Sequence, residues 1–258
     1  MADLTIFDVE HGSCALLTAN NGATMMVDCG KNSSSGWSPT VELTNRNITT
    51  LDRLAITNFD EDHANGLPEL RASHVRIRSL LRAKNIEPDE IEGMKSEDGM
   101  GAGIKELVKM AKEYCHPAAA YDYGDIDFKI FYNPSGSFQD ENNMSAVIIV
   151  TAGAHKVVFP GDVERAGFEL LMKRSAFVEA IRDSSILIAP HHGRESSVHE
   201  AFISTVNPFW TIISDCGYKY DTQLTVPTYK RLSRGASFRG RDRWVLTTRN
   251  DGEIALSL

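Results

Sequence analysis

No run of apolar residues in this 258-residue chain approaches the roughly 18 that a membrane span needs. The longest, such as Ala146 to Val150 and Ile186 to Ala189, are strand-sized, so no membrane is expected. The opening Met1-Ala2-Asp3-Leu4-Thr5 lacks the basic stretch and apolar core of a secretory signal, and a cytoplasmic location is expected. Cysteine is scarce. Cys14, Cys29, Cys115 and Cys216 are too few for a disulfide scaffold and too widely spaced for a Cys-x-x-Cys zinc knuckle, and they read as reduced thiols, mostly buried in strands. Positive charge is not in surplus: 27 Lys and Arg against 35 Asp and Glu give a net charge of −8, which argues against a nucleic-acid binder held by bulk electrostatics. There is no repeat of roughly 20 to 50 residues, which excludes a solenoid. What is present, 42% hydrophobic and 24% charged residues, suits a globular protein with a sizeable core.

Short β-type runs alternate with helical patterns. Strands are predicted at Leu4–Val9, Ser13–Thr18, Thr24–Cys29 and Leu51–Thr57, with turn residues such as Asn20-Asn21-Gly22 between the early ones. Helices are predicted at Ala64–Leu70, Ile104–Glu113, Val163–Lys173 and Phe177–Arg182; Ile104, Leu107, Val108 and Ala111 share one helical face. The acidic, glycine-containing stretch Glu87–Gly103 reads as an exposed loop. A second β set is predicted at Ile126–Phe131, Ser145–Thr151, Lys156–Phe159, Ser185–Ala189, Thr211–Ser214, Trp244–Thr248 and Glu253–Leu258, with a helix at Pro227–Ser233. Two β-rich halves with helices distributed between them, and no linker, point to a mixed α/β (α+β) fold. The expectation is a single domain over residues 1–258, with two sheets face to face and helices outside, a four-layer αββα sandwich.

Chemistry concentrates where strands end. Leu51–Thr57 runs into Asn58-Phe59-Asp60-Glu61-Asp62-His63, a turn that opens a helix and can converge Asp60, Asp62 and His63 on one point. Carboxylate and imidazole together are a divalent-metal ligand set. An acidic turn with a helix-capping Asp62 is the bland alternative. Val157–Phe159 delivers Asp162 through Pro160-Gly161, and Ile186–Ala189 delivers His191 and His192. Each signal alone is weak; three strands ending in ligand types are hard to dismiss. His11, His74, His116 and His155 stand singly in turns and read as surface or capping residues. Between Lys230 and Arg243 six cations (Lys230, Arg231, Arg234, Arg239, Arg241, Arg243) meet one anion, Asp242. That segment is either a solvated helix face or a phosphate-binding strip on the rim of the cleft.

The order Asp28-Cys29-Gly30, Asp60-Glu61-Asp62-His63, Gly161-Asp162 and Pro190-His191-His192-Gly193 resembles the metallo-β-lactamase fold hydrolases, whose fold is an αββα sandwich. The match is closer to the hydrolase domain of ComEC-type competence proteins. Asp8-Val9-Glu10-His11-Gly12-Ser13 resembles their Asp-Val-Gly-Gln-Gly-Asp opening, Asn143-Met144-Ser145 their Asn-x-Ser strand start, and Ser214-Asp215-Cys216-Gly217 their late strand end. The resemblance implies a metal-dependent hydrolase, a phosphodiesterase or nuclease acting on DNA or another nucleotide-containing substrate. It would use one or two divalent ions, zinc or manganese, that make a hydroxide nucleophile from water near neutral pH. Carried over residue by residue, Asp62, His63, Asp162 and His191 or His192 furnish one metal site. The family's first motif histidine is Asn58 here, and its third-motif histidine is missing near Asn142/Asn143. A first site is thus left with Asp60, a shared Asp162 and the Asn58 amide, an oxygen-rich set that favours manganese or magnesium. Asp28 is expected to support the metal loop, with Asn143 nearby. Lys219 and Tyr220 are expected to meet substrate, together with Arg231, Arg239 and Arg241; His199, Lys219, Tyr220 and Asp221 are candidates for the leaving-group acid. Two other classes stay open: a binding or regulatory module that kept the fold and lost efficient chemistry, and a small-molecule lactone or thioester hydrolase. A protein partner and the oligomeric state are undetermined by sequence.

Overall fold

In a computed structural model, residues 1–95, 99–116, 120–216 and 222–258 are described. Twelve strands build the two large sheets: β1 (Asp3–Ile6), β2 (Ala15–Thr18), β3 (Thr24–Val27), β4 (Arg53–Ala55), β5 (Leu80–Leu81), β6 (Ile126–Phe131), β7 (Val147–Ala152), β8 (His155–Phe159), β9 (Ile186–Ile188), β10 (Trp210–Ile213), β11 (Val245–Thr247) and β12 (Ile254–Ser257). One sheet has the order β12-β1-β2-β3-β4-β5 and the other β11-β10-β9-β8-β7-β6. In the first, β3, β4 and β5 run parallel. In the second, β8, β9, β10 and β11 do.

The central strands of both sheets are buried on both faces and therefore read as continuous apolar runs, while the edge strands β6 and β12 alternate with exposed residues. Alternation sorts each strand's side chains to opposite layers. Leu17, Met25, Ile148, Val150, Val157 and Ile212 fill the space between the sheets. Leu16 and Met26 face a helical layer with Leu67, Ile104 and Leu107. Val147, Ile149 and Val158 face another with Phe168, Phe177 and Phe202. The molecule is the four-layer αββα sandwich.

The helices are α1 (Pro39–Asn45), α2 (Glu61–Ala64), α3 (Leu67–Ala72), α4 (Pro88–Met94), α5 (Ala102–Glu113), α6 (Arg165–Leu171), α7 (Ser175–Ile181), α8 (Glu200–Val206), α9 (Val226–Leu232) and α10 (Thr248–Asp251). The stretch Glu87–Gly103 is not a loop throughout. It contains α4, started by Pro88 and by Glu90, whose carboxylate accepts the Glu87 N–H at 2.7 Å, and held down by Ile91 in the core. The helix expected over Ala64–Leu70 is broken at Gly66. A Cβ there would lie 2.7 Å from the Cys29 carbonyl, which the Gly66 N–H contacts instead. The Arg239–Arg243 segment forms a hairpin, Ala236–Phe238 pairing with Arg241–Arg243. Cys14 and Cys29 are buried just outside β2 and β3, while Cys115 is exposed and Cys216 half-buried; all are free thiols. No helix among the described residues is long and apolar enough to cross a membrane.

Candidate metal centre

Parallel neighbours end at the same level, which is why β3, β4, β8, β9 and β10 deliver their following residues to one place. Asp28 follows β3 in a left-handed backbone (φ 60°), and both its oxygens are taken by Thr57, after β4, through the backbone N–H and the hydroxyl at 2.7 Å each. The same carboxylate contacts Nδ1 of His63, at the end of α2, at 3.0 Å. With Nδ1 so held, Nε2 of His63 points at Asp162 Oδ1, 3.0 Å away. Asp162 is set by the turn at Gly161 (φ 57°), and its N–H donates to Ser145 Oγ at 3.1 Å. After β9 the chain turns left-handed at His191 and His192 (φ 48° and 54°). Nδ1 of His192 donates to the Ser214 carbonyl, after β10, at 3.2 Å. Its Nε2 then lies 3.3 Å from Asp62 Oδ2 and 3.7 Å from Asp162 Oδ1.

Buried polar atoms are nearly always hydrogen-bonded. Here His63 Nε2, His192 Nε2 and Asp62 Oδ1 are buried without such a partner, and they belong to one cluster. The ligand atoms of His63, Asp162 and His192 all lie within 4.8 Å of one another, as do those of His11, Asp62 and His192. The outer nitrogens of His63 and His192 are fixed by the Asp28 carboxylate and the Ser214 carbonyl, the usual support of a metal ligand. The donor set of two imidazoles and two carboxylates fits zinc or manganese.

The same side chains are strongly coupled to one another electrostatically. Burial opposes the charged imidazole of His63, yet Asp162 and Asp28 outweigh it and hold it well above the ordinary histidine value. Burial likewise opposes His192, and Asp162 and Asp62 raise it on balance. Burial pushes Asp62 up, but its close contact with His192 and the charges of His63 and His192 bring it down to about 2. Asp162, against its own burial, is held far below the usual carboxylate range by His63 and His192. Burial and the neighbouring His192 lower His11 to about 3. In chelator-treated protein the stability contributed by His63 and His192 is full below about pH 6.5 and is lost as pH rises through their raised values. Asp62 contributes above about pH 4 and is lost as pH falls towards 2. Metal loading must displace the histidine protons, so apparent affinity should climb between about pH 6 and 8 with protons released, read by titration calorimetry in two buffers. An affinity flat in pH contradicts this.

Not every sequence candidate is brought in. Asp60 accepts the Glu61 N–H at 2.9 Å as the cap of α2 and pairs with Lys95 Nζ at 3.3 Å. The Asn58 amide oxygen accepts the Phe59 N–H at 2.7 Å, and its nitrogen donates to Asn142 at 3.1 Å. Neither belongs to the cluster. The Asn143 side chain accepts from the Glu164 and Gly167 N–H groups and so sets the start of α6. His191 contacts Glu164 through Nδ1 at 3.1 Å, with Nε2 3.7 Å from Asp162 Oδ2. Arg231 pairs with Glu200, and Arg239 donates to the Asp251 and Glu253 carbonyls. The exposed Arg241 lies in a hairpin anchored, through Gly235 and Ala236, at Phe209 and Trp210, the end of β10 away from Ser214. Lys219, Tyr220 and Asp221 lie outside the described residues.

Two residues escaped sequence reasoning. His11, in the loop after β1, has its Nε2 3.8 Å from Asp62 Oδ2 and its ring centroid 4.3 Å from that of His192, the two planes tilted by 51°. Arg194, one residue past Gly193, has Nη2 3.4 Å from His11 Nε2. The only sequence signal was the place of His11 within the glycine-containing opening motif. That loop is packed without slack, because a Cβ on Gly12 or Gly30 would stand 2.7 or 2.6 Å from the Asp62 carbonyl. Gly30→Ala should therefore cost about 1–3 kcal/mol of stability in chemical denaturation and weaken metal binding by shifting Asp62. An unchanged midpoint would show that the loop yields freely.

With two sheets, flanking helices and ligand-type residues gathered at the strand ends, the chain has the metallo-β-lactamase fold. It matches over its full length the metallo-β-lactamase fold protein YhfI from Bacillus subtilis, at TM-score 0.56 and 12% identity, covering 100% of both chains. It also matches CmlA, a diiron β-hydroxylase from Streptomyces venezuelae, at TM-score 0.58 and 11% identity over 99% of this chain and 54% of that one. Zn2+-bound PqqB from Methylobacterium extorquens matches at TM-score 0.52 and 11% identity, covering 95% and 87%. No family model matches the sequence. By sequence the chain is similar to ComE operon protein 3 of Bacillus subtilis (strain 168), 26% identical over 174 residues, which takes in 67% of this chain and 21% of that protein. It is also similar to the competence protein ComA of Neisseria gonorrhoeae, 23% identical over 226 residues, 86% of this chain and 28% of that one. The chain thus spans between 21% and 28% of these relatives' lengths.

Proposed function

We propose that this chain, acting as one domain, is a metal-dependent hydrolase that cleaves phosphodiesters in DNA or another nucleotide-containing substrate. The observation that carries the hydrolase reading is the group His63, Asp162 and His192, joined by Asp62, with buried ring nitrogens lacking hydrogen-bond partners. His63, Asp162, His192 and Asp62 would hold a divalent ion, zinc or manganese, which would supply Lewis acidity to activate water and to offset negative charge on a phosphoryl group. The protein's own part is preorganisation. Asp28 and the Ser214 carbonyl hold His63 and His192 with Nε2 inward, and the charges of those two imidazoles keep the buried Asp162 carboxylate ionised. Arg194 puts a guanidinium beside the cluster, where it can meet an anionic substrate. The nucleotide substrate is supported by the similarity to competence proteins. With Arg231 and Arg239 engaged internally, Arg231→Ala and Arg239→Ala should leave the slope of log affinity against log salt unchanged, whereas Arg194→Ala should flatten it by about one unit.

The test is cleavage of single- and double-stranded DNA and of bis-p-nitrophenyl phosphate by chelator-treated protein reloaded with manganese, magnesium or zinc. Cleavage restored by metal supports the reading. Absence of cleavage with every metal, in protein that binds metal, overturns it. One observation favours a second reading, a module with weakened chemistry: Lys95 and the capping role of Asp60 occupy the acidic first-motif residue that a second ion would need. Binding of DNA without cleavage in the same assay selects that reading.

A further inference from the structure

We propose that His11 is a ligand of this metal centre, an imidazole supplied from the loop after β1 to the ion that Asp62 and His192 hold. The assignment rests on reading the cluster as a metal centre and adds a donor that the strand-end residues do not provide. Ligand atoms bound to one ion at about 2.0–2.2 Å stand roughly 3–4.3 Å apart. His11 Nε2 is 3.8 Å from Asp62 Oδ2, which is itself 3.3 Å from His192 Nε2, and the three ligand atoms lie within 4.8 Å of one another.

The loop carrying His11 is fixed to the elements that carry the other two ligands. The Ser13 N–H donates to the Asp62 carbonyl at 3.2 Å, and Ser214 Oγ donates to the Gly12 carbonyl at 2.6 Å. Ser214 is the same residue whose carbonyl orients His192. Thus Gly12 and Ser13 tie His11 to both partners through their backbone atoms, and its ring packs against His192 in a tilted contact at 4.3 Å. The contact from Arg194 Nη2 at 3.4 Å places a cation on the ring nitrogen that an ion would engage. His11 also answers a shortage of nitrogen, since Asn58 stands where a histidine would otherwise serve and its amide oxygen is committed to the Phe59 N–H.

The experiment compares wild type with His11→Gln and His11→Ala, with Asp62→Ala as the positive control and His74→Ala as the negative one. Zinc and cobalt dissociation constants are measured by chelator competition, and imidazole number by X-ray absorption of the zinc-loaded proteins. The expected result is a loss of affinity of at least about tenfold in both His11 variants, with one imidazole fewer and an unchanged melting temperature in chelator. His11→Gln preserves size and polarity, so it is read even if the alanine variant folds poorly. Affinity and imidazole number equal to wild type in His11→Gln overturn the assignment of His11. A wild type that binds neither zinc nor cobalt overturns the metal centre itself, and the assignment with it.

Discussion

Asp62→Ala is expected to lower metal-dependent phosphodiester hydrolysis by about three orders of magnitude or more while the protein stays folded. Asp62 is the cleanest member of the cluster to remove, because its side chain is 25% exposed and meets His192 and His11 without anchoring a strand. Its loss takes an oxygen donor from the ion and leaves His192 still held by Ser214. His63→Ala should abolish activity as completely but at a stability cost. It strips the partner from two buried carboxylates, Asp28 and Asp162, and breaking a buried ion pair costs about 3–5 kcal/mol. The measurement is kcat/KM on a DNA substrate with manganese, beside circular dichroism of each variant. Equal rates in wild type and Asp62→Ala would mean that the hydrolysis takes place elsewhere.

The two adjacent histidines should differ by a wide margin. His192 belongs to both groups of ligand atoms, with its outer nitrogen on a carbonyl, whereas His191 is turned to Glu164. His192→Ala should weaken zinc binding by about a thousandfold, as befits a lost ligand. His191→Ala should weaken it by about 10–100-fold, the range for a supporting residue. Chelator competition on both variants reads the difference directly. A larger loss in His191→Ala would reverse their roles.

The central strands were legible because strands buried on both faces are written as unbroken apolar runs, and the candidate ligands because those runs stop at Asp and His. Helix α4 was hidden by its own surface: Glu87, Asp89 and Glu90 look like loop charge until Pro88 and the Glu90 cap start the helix and Ile91 anchors it. Asp60 carries a motif position, but the sequence cannot show that its carboxylate caps α2 and meets Lys95, a residue of a stretch read as loop. His11 was discounted as an isolated histidine, since its neighbours Asp62 and His192 come together only through the packing of Gly12 and Ser13 against other elements. Among the C-terminal arginines, Arg231 and Arg239 are engaged within the protein. A run of like charge suggested an external anion, while Glu200 and the carbonyls of Asp251 and Glu253 supply partners from within.

The most direct measurement is a crystal structure of the protein loaded with manganese or zinc, with the ion located by its anomalous scattering. The predicted result is a peak about 2.0–2.2 Å from His63 Nε2, His192 Nε2 and carboxylate oxygens of Asp62 and Asp162. A fully loaded crystal whose anomalous density avoids these four side chains, or that holds no ion at all, would contradict it.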